Sequence, residues 1–493
     1  MDSKSSTTGF SAGRNASCRQ LWIGLFGVLH ILCLDAQVQG DDWATVPTPP
    51  GAIVSPDLAE NADPGLSVTT ENGTSDVFRE SLQVPDAFEP PPEPCFDPHH
   101  WRTTDKPLFR LRGRIDTDLV LVNQSAANQA AFGNLQDVIG LRRARVGASG
   151  NLTPDLRYLA EIDMASSTVA IRDLFVGWGD VQDFGEFRIG HLREPFSLEG
   201  GTSANSYTFL ERSPTNNLDP ARNWGLGYFR CSPGEDSTLA VGVFHSGSGP
   251  TDSRGGLGDN SALTARWTHL PWYADHGQQM MHLGFALSSR IPDRDFVVIN
   301  QQPQSPLLDL GDSSASPFVP TIRIPARFQQ LFNAQWALVN GSFSAQAEWY
   351  GSLIDQIGGQ TVFYNGSYFN LSYFLTGEHR TYQKQNGVFG AVSVNQPLIR
   401  RFSSRQDGVW ERGYGAWELT TQLGYLDFSD SDTPQGPLGL IPGIRLPQLT
   451  MGVNWYLADR LRIMFNYSHS VPDEPNTGSS SGNLFSSRLA MYW

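Results

Sequence analysis

From Leu108 onward, hydrophobic and polar positions alternate with a period of two. In 109–119 one face is mostly apolar, while the other carries Arg110, Arg112, Arg114, Asp116 and Asp118. The same alternation sets Phe343, Ala345, Ala347 and Trp349 against Ser344, Gln346 and Glu348. It recurs in 417–425 and in 461–467. Alternation of this length predicts β-strands with one apolar and one wet face. A soluble core could not bury Arg110, Arg112 and Arg114 together without a large desolvation cost, whereas a water-filled lumen can hold them. The chain ends in a further alternating stretch that stops on Trp493, as the closing strand of an outer-membrane barrel does. Stretches 247–250 and 430–434 read as outer loops. At about 24 residues per strand and connection, residues 107–493 predict an all-β, transmembrane antiparallel β-barrel of about 16 strands, an even number.

The stretch before the barrel has a different character. Arg14 and Arg19 precede an apolar run, Leu21 to Leu34, followed by small and polar residues up to Gly40. That order predicts a secretory signal peptide over 1–40. Residues 41–106 hold thirteen acids against three bases and two proline clusters. Such a stretch buries too little apolar area to fold, so a disordered, acidic, Pro-rich periplasmic linker is expected there. The barrel proper is 107–493.

Charge refines the picture. The formal net charge is -15, which argues against a nucleic-acid partner. Without the leader and linker, 35 acids face 29 bases. The chain has only three lysines, Lys4, Lys106 and Lys384, so nearly all its positive charge is guanidinium. No apolar run is long enough for a membrane helix. Cys95 and Cys231 are the two cysteines past the leader; a disulfide between them is possible in an oxidising compartment, but two unrelated small residues is the preferred reading.

Enzyme signatures lack their context. Residues 478–482 match G-x-S-x-G, but no helix follows, as a nucleophile elbow requires. Gly255-Gly256-Leu257-Gly258 lacks the Lys-Ser/Thr of a phosphate loop. His99-His100 has no partners at metal-ligand spacing. No catalysis, cofactor or metal is expected.

Several motifs are more specific. They are Phe187-Arg188-Ile189-Gly190-His191-Leu192-Arg193-Glu194-Pro195-Phe196-Ser197-Leu198-Glu199, then Phe209-Leu210-Glu211-Arg212 and Pro220-Ala221-Arg222-Asn223-Trp224-Gly225. Tyr373-Phe374-Leu375-Thr376-Gly377-Glu378, Gly415-Ala416-Trp417-Glu418-Leu419 and Gly452-Val453-Asn454-Trp455-Tyr456-Leu457 follow. With these, 109–493 resembles the phosphate-selective porin O and P family. The resemblance implies a 16-stranded outer-membrane channel of a Gram-negative-type cell, usually trimeric, that passes small anions such as phosphate. It also implies contact with outer-membrane lipid and with the barrel assembly machinery.

The residues support an anion path on their own terms. Alternation puts Arg110, Arg112 and Arg114 on the lumenal face of the first strand, Arg143 and Arg145 on the second, Arg157 on the third and Arg188 on the fifth. Guanidinium groups in a narrow lumen concentrate anions and can hold an oxyanion at two points. Asp116, Asp118, Glu161, Asp163 and Glu186 could equally tie these arginines into a bracing ladder. Residues 192–224 are too rich in turn residues for one strand and take the place of a third outer loop folding into the lumen. Arg193, Arg212 and Arg222 are its candidate constriction residues. Arg193 and Arg222 are expected to face the pore unpaired, opposite Arg110 and Arg112, while Glu211 pairs with Arg212 or the wall. Trp493 is assigned to assembly. A non-selective general diffusion porin and a structural envelope protein tethered by its acidic linker are the alternatives.

Overall fold

The computed structural model describes residues 108–166, 169–247, 260–301, 306–309, 319–398, 413–432, 443–474 and 478–493. The leader, the linker, Cys95, His99-His100, Gly255–Gly258 and parts of the loops at 247–250 and 430–434 lie outside them.

Sixteen antiparallel strands form one closed barrel. They are β1 (Arg110–Gln124), β2 (Val138–Asn151), β3 (Leu156–Asp163), β4 (Ala170–Asp180), β5 (Gly185–Arg193), β6 (Arg222–Cys231), β7 (Ser237–His245) and β8 (Ser261–Ala274). The second half is β9 (Gln279–Arg290), β10 (Val319–Asn340), β11 (Phe343–Gln356), β12 (Val362–Phe374), β13 (Ala416–Asp427), β14 (Arg445–Ala458), β15 (Leu461–Ser470) and β16 (Gly482–Tyr492). Each strand pairs with its sequence neighbour, and β1 pairs with β16 to close the sheet. The strand Phe296–Gln301 lengthens the β10 hairpin beyond the barrel.

The two ends differ. Beside the termini, connections are two to five residues long with one exception. One of the two tightest, between β10 and β11, places Gly341 at φ +56°, a left-handed conformation that glycine adopts without a steric penalty. At the far end the connections are mostly longer. Residues 478–482 lie there in a strand-rich loop with no helix behind it, so the G-x-S-x-G match is a hairpin.

Apolar side chains cover the outside. Ile139, Ile189, Leu226, Leu263, Leu423 and Leu489 are all exposed there, and Trp417 stacks on Trp455 across β13 and β14 at 4.9 Å. The interior is largely polar, the inverse of a soluble protein. Trp493 exchanges backbone hydrogen bonds with Gly113 (3.1 and 3.2 Å), and its ring covers the face where a Gly113 side chain would stand.

Two segments enter the lumen from opposite ends. From the far end comes the inward loop, 194–221. Gln335 donates to its Phe196 carbonyl (2.7 Å), and Glu348 accepts from the backbone N–H groups of Leu198 and Glu199 (2.7 and 2.8 Å). It then crosses to the β1–β16 side, where Asn454 and Arg462 donate to the carbonyls of Thr208 and Tyr207 (2.7 Å each). From the terminal end comes the exception among the short turns, the return segment 375–398. Arg266 donates to its Gly387 carbonyl (2.7 Å), and His282 bonds the Tyr382 hydroxyl (2.7 Å). The two inserts meet in one apolar cluster that joins Leu198 to Val388 and Phe389. Nearer the far end, Phe132, Leu218, Leu308, Tyr350, Tyr364 and Phe428 share a second apolar core inside the barrel. Free space is thereby displaced towards the wall of β1–β6.

Candidate functional site: an arginine-lined lumenal cleft

Against that wall lies a cleft of about 900 Å³, bounded across the lumen by the inward loop and the return segment. Its charged lining follows from strand alternation with two interruptions. Between Asp116 and Thr117 the β1–β2 register shifts, leaving Arg142 as an extra residue on β2. Between Ala160 and Ile162 the β3–β4 register shifts in the same way, setting Arg172 and Asp173 against one residue. A β-bulge turns neighbouring side chains to the same side. Here it aims both Arg142 and Arg143 at one carboxylate, and both Arg172 and Asp173 into the polar network.

The acids hold the arginines in shared pairs. Asp116 accepts from Arg114 and Arg143 at 2.8 Å each. Asp163 accepts from Arg145 (2.8 Å) and Arg172 (3.2 Å). Glu186 takes both Arg157 and Arg188. Glu211, on the inward loop, accepts from Arg142 (2.7 Å), Arg143 (3.2 Å) and Arg488 (2.6 Å). Burial opposes the charge on Glu211, yet Arg142, Arg143 and Arg488 hold its carboxyl well below the usual range. Arginines also share acids, as Arg143 and Arg145 do, but the arginines lining the cleft outnumber its acids, so positive charge is in surplus along the wall.

Aromatic rings fix the rest. Arg188 lies over the Phe229 ring at 3.9 Å from its centroid. That ring lies flat against the wall because residue 227 is glycine; a Cβ there would come within 2.7 Å of it. Such a stack orients a guanidinium while leaving its N–H edges to the lumen.

The expected site residues fall as follows. Arg112, Arg114, Arg143, Arg145, Arg188, Arg193, Arg212 and Arg222 all line the cleft, with Trp493 at its terminal end. Arg110 does not; it is exposed at the terminal rim. Arg193 and Arg222 are not unpaired. They are register partners at the far ends of β5 and β6, and each meets a carboxylate, Asp219 (3.1 Å) and Asp173 (3.0 Å). Those acids stand on the loop and on a bulge, so sequence spacing could not reveal them. Glu211 pairs with the wall. Arg212 is the loop guanidinium that makes no ion pair among the described residues: it donates to the carbonyls of Gly200 (2.8 Å) and Glu199 (3.3 Å) and lies 4.9 Å from the Tyr207 ring centroid. Burial works against ionisation of the Tyr207 phenol, but Arg212, Arg143 and Arg193 pull it below its ordinary value.

Sequence reading missed Arg142 and Arg172, which sit on bulges, and Arg488, whose partners are distant in sequence. Lys384 contributes nothing to the cleft lining; it pairs with Glu235 at the terminal end (3.0 Å). Cys231 is buried near the Lys384 carbonyl and makes no disulfide among the described residues. Among the described residues no group of His, Cys, Asp or Glu could hold a metal ion.

The sequence profile of phosphate-selective porin O and P matches residues 109–493. The chain belongs to that family. It is 24% identical over 417 residues to porin O of Pseudomonas aeruginosa, covering 78% of this chain and 89% of its relative. A Caulobacter vibrioides protein is 26% identical over 406 residues, covering 78% and 74%. Among solved structures, OmpT of Vibrio cholerae matches with TM-score 0.46 and 12% identity over 78% of this chain and 99% of that one. An anion-selective porin from Comamonas acidovorans matches with TM-score 0.44 and 13% identity over the same shares. The protein is therefore an outer-membrane porin, a channel rather than an enzyme.

Proposed function

We propose that the chain is a passive channel for small anions, phosphate among them, whose path follows the arginine cleft along β1–β6. One observation carries this reading: arginines outnumber carboxylates among the residues that line the cleft, where space remains. Acid-pinned guanidiniums keep their geometry without a solute and still leave N–H groups to bind one. The surplus raises local anion concentration although the whole chain is acidic. Arg112 and Arg212, which make no ion pair among the described residues, are assigned to the mobile anion. The remaining arginines named above set the field.

Around this channel the reading places export by the 1–40 leader, a periplasmic linker over 41–106 and assembly into a homotrimer in outer-membrane lipid by the barrel assembly machinery. The test is reversal potential in a salt gradient across a planar bilayer. An anion-preferring potential, with chloride current blocked by added phosphate, is expected. A potential near zero would replace this reading with general diffusion.

A further inference from the structure

Two carboxyl groups on the far side of the inward loop take no part in the cleft. Glu348, on β11, accepts the backbone N–H groups of Leu198 and Glu199 and a hydroxyl hydrogen bond from Tyr350 at 3.2 Å. Tyr368, on β12, donates to it as well. Glu199, on the loop itself, accepts from the Ser213 N–H (3.1 and 3.2 Å) and hydroxyl (2.8 Å). Both residues are buried, and neither makes an ion pair among the described residues. Everywhere else along the loop acids are matched to arginines, so this pair breaks the pattern.

We propose that Glu199 and Glu348 form a pH-sensitive latch that sets the seat of the inward loop and, through it, the guanidiniums of Arg212 and Arg193. The inference rests on the anion path described above and concerns its regulation. Two buried carboxyls in one another's field cannot both ionise cheaply, so the pair retains a proton. The other groups facing Glu199 are Arg212 on its own loop, Arg380 on the return segment, Tyr350 on β11 and Tyr368 on β12. Glu348 is faced by Tyr350, Tyr368, the loop's Asp219 and, from β8, Arg266. Burial, then Glu348, pushes the Glu199 carboxyl up to about 7. Below that pH Glu199 is neutral and Glu348 grips the 198–199 turn. Above it Glu199 takes up a negative charge beside Glu348, and the relief is withdrawal of the turn from β11.

That turn is coupled to the cleft. Arg212 hangs on the carbonyls of Glu199 and Gly200. The Ser197 hydroxyl donates to Asp219, the carboxylate that also holds Arg193. A displaced turn therefore carries both cations with it.

Single-channel recording of the full protein between pH 5.5 and 8.5 tests the latch. The wild type should change conductance and anion/cation permeability ratio at least twofold, with a midpoint near pH 7. Glu199→Gln should stay at the acid-limb values throughout. Ser213→Ala, which removes a hydrogen bond favouring the charged form, should move the midpoint upward. A flat wild-type profile, an unchanged step in Glu199→Gln, or an unmoved midpoint in Ser213→Ala would each overturn the latch. A channel without anion preference at any pH would instead overturn the arginine path, leaving the conductance step to judge the latch.

Discussion

Asp118 and Arg488 face each other across the line where the barrel closes. They are register partners on β1 and β16, and the guanidinium meets both carboxylate oxygens at 2.6 Å. Arg488 also reaches Glu211 on the inward loop, so one side chain ties first strand, last strand and loop together. Removing one partner from a buried ion network leaves an uncompensated charge, at a cost of about 3–5 kcal/mol. Arg488→Gln should therefore lower the temperature at which the folded barrel converts to its unfolded mobility on heated gels. An unchanged transition would show that the network is not needed for closure.

The loop arginines separate by their partners. Arg212→Ala removes a cation and exposes no bare acid, so the anion/cation permeability ratio should fall while the barrel folds normally. Arg193→Ala with Arg222→Ala turns two ion pairs into two carboxylates and should lower the ratio further. Reversal potentials in a salt gradient decide. A double mutant with the wild-type potential would make these arginines structural.

Acid should spare the seam. The Glu211 carboxyl is held well below its usual range, so its contribution is in place above the ordinary carboxylate range. It is lost only as pH falls through its depressed value. Heat-modifiability should persist at pH 4, and its loss at pH 5 would contradict this assignment.

Leu489 points outward and is 45% exposed in the isolated chain. Leu489→Arg should cost roughly 2–4 kcal/mol if the residue lies near the bilayer midplane. Deleting Trp493 should reduce the yield of folded barrel and leave the conductance of the fraction that folds unchanged.

Orientation can be checked on cells. A cysteine at Asn134, exposed in the long loop after β1, should react with an impermeant thiol reagent on intact cells. One at Asp183, exposed in the short turn after β4, should react only after permeabilisation. The opposite pattern would invert the barrel.

The sequence displayed the strands clearly because lumen and lipid impose opposite demands on successive residues. Arg143, Arg145, Arg157 and Arg188 could be placed on their strands for that reason. The same rule hid Arg142 and Arg172, since a bulge breaks the period where two neighbours turn inward together. The partners of Arg193 and Arg222 were equally hidden: Asp219 is 26 residues from the first and Asp173 is 49 from the second. The loop's turn residues announced an insertion into the lumen. Nothing in 375–398 announced a second one, because its apolar residues, Val388 and Phe389 among them, follow no strand or helix period and acquire meaning only against Leu198.

That second insertion alters what kind of sieve the barrel can be. Two inserts meeting across the middle leave the remaining space along one wall, off the barrel axis, so that a slot takes the place of a round hole if the space is as thin as its lining by wall and inserts implies. A round aperture sorts solutes by diameter, whereas a slot sorts them by thickness. On the proposed anion path, a flat anion and a globular one of equal mass and charge would then cross at different rates, and shape would join charge in deciding what passes.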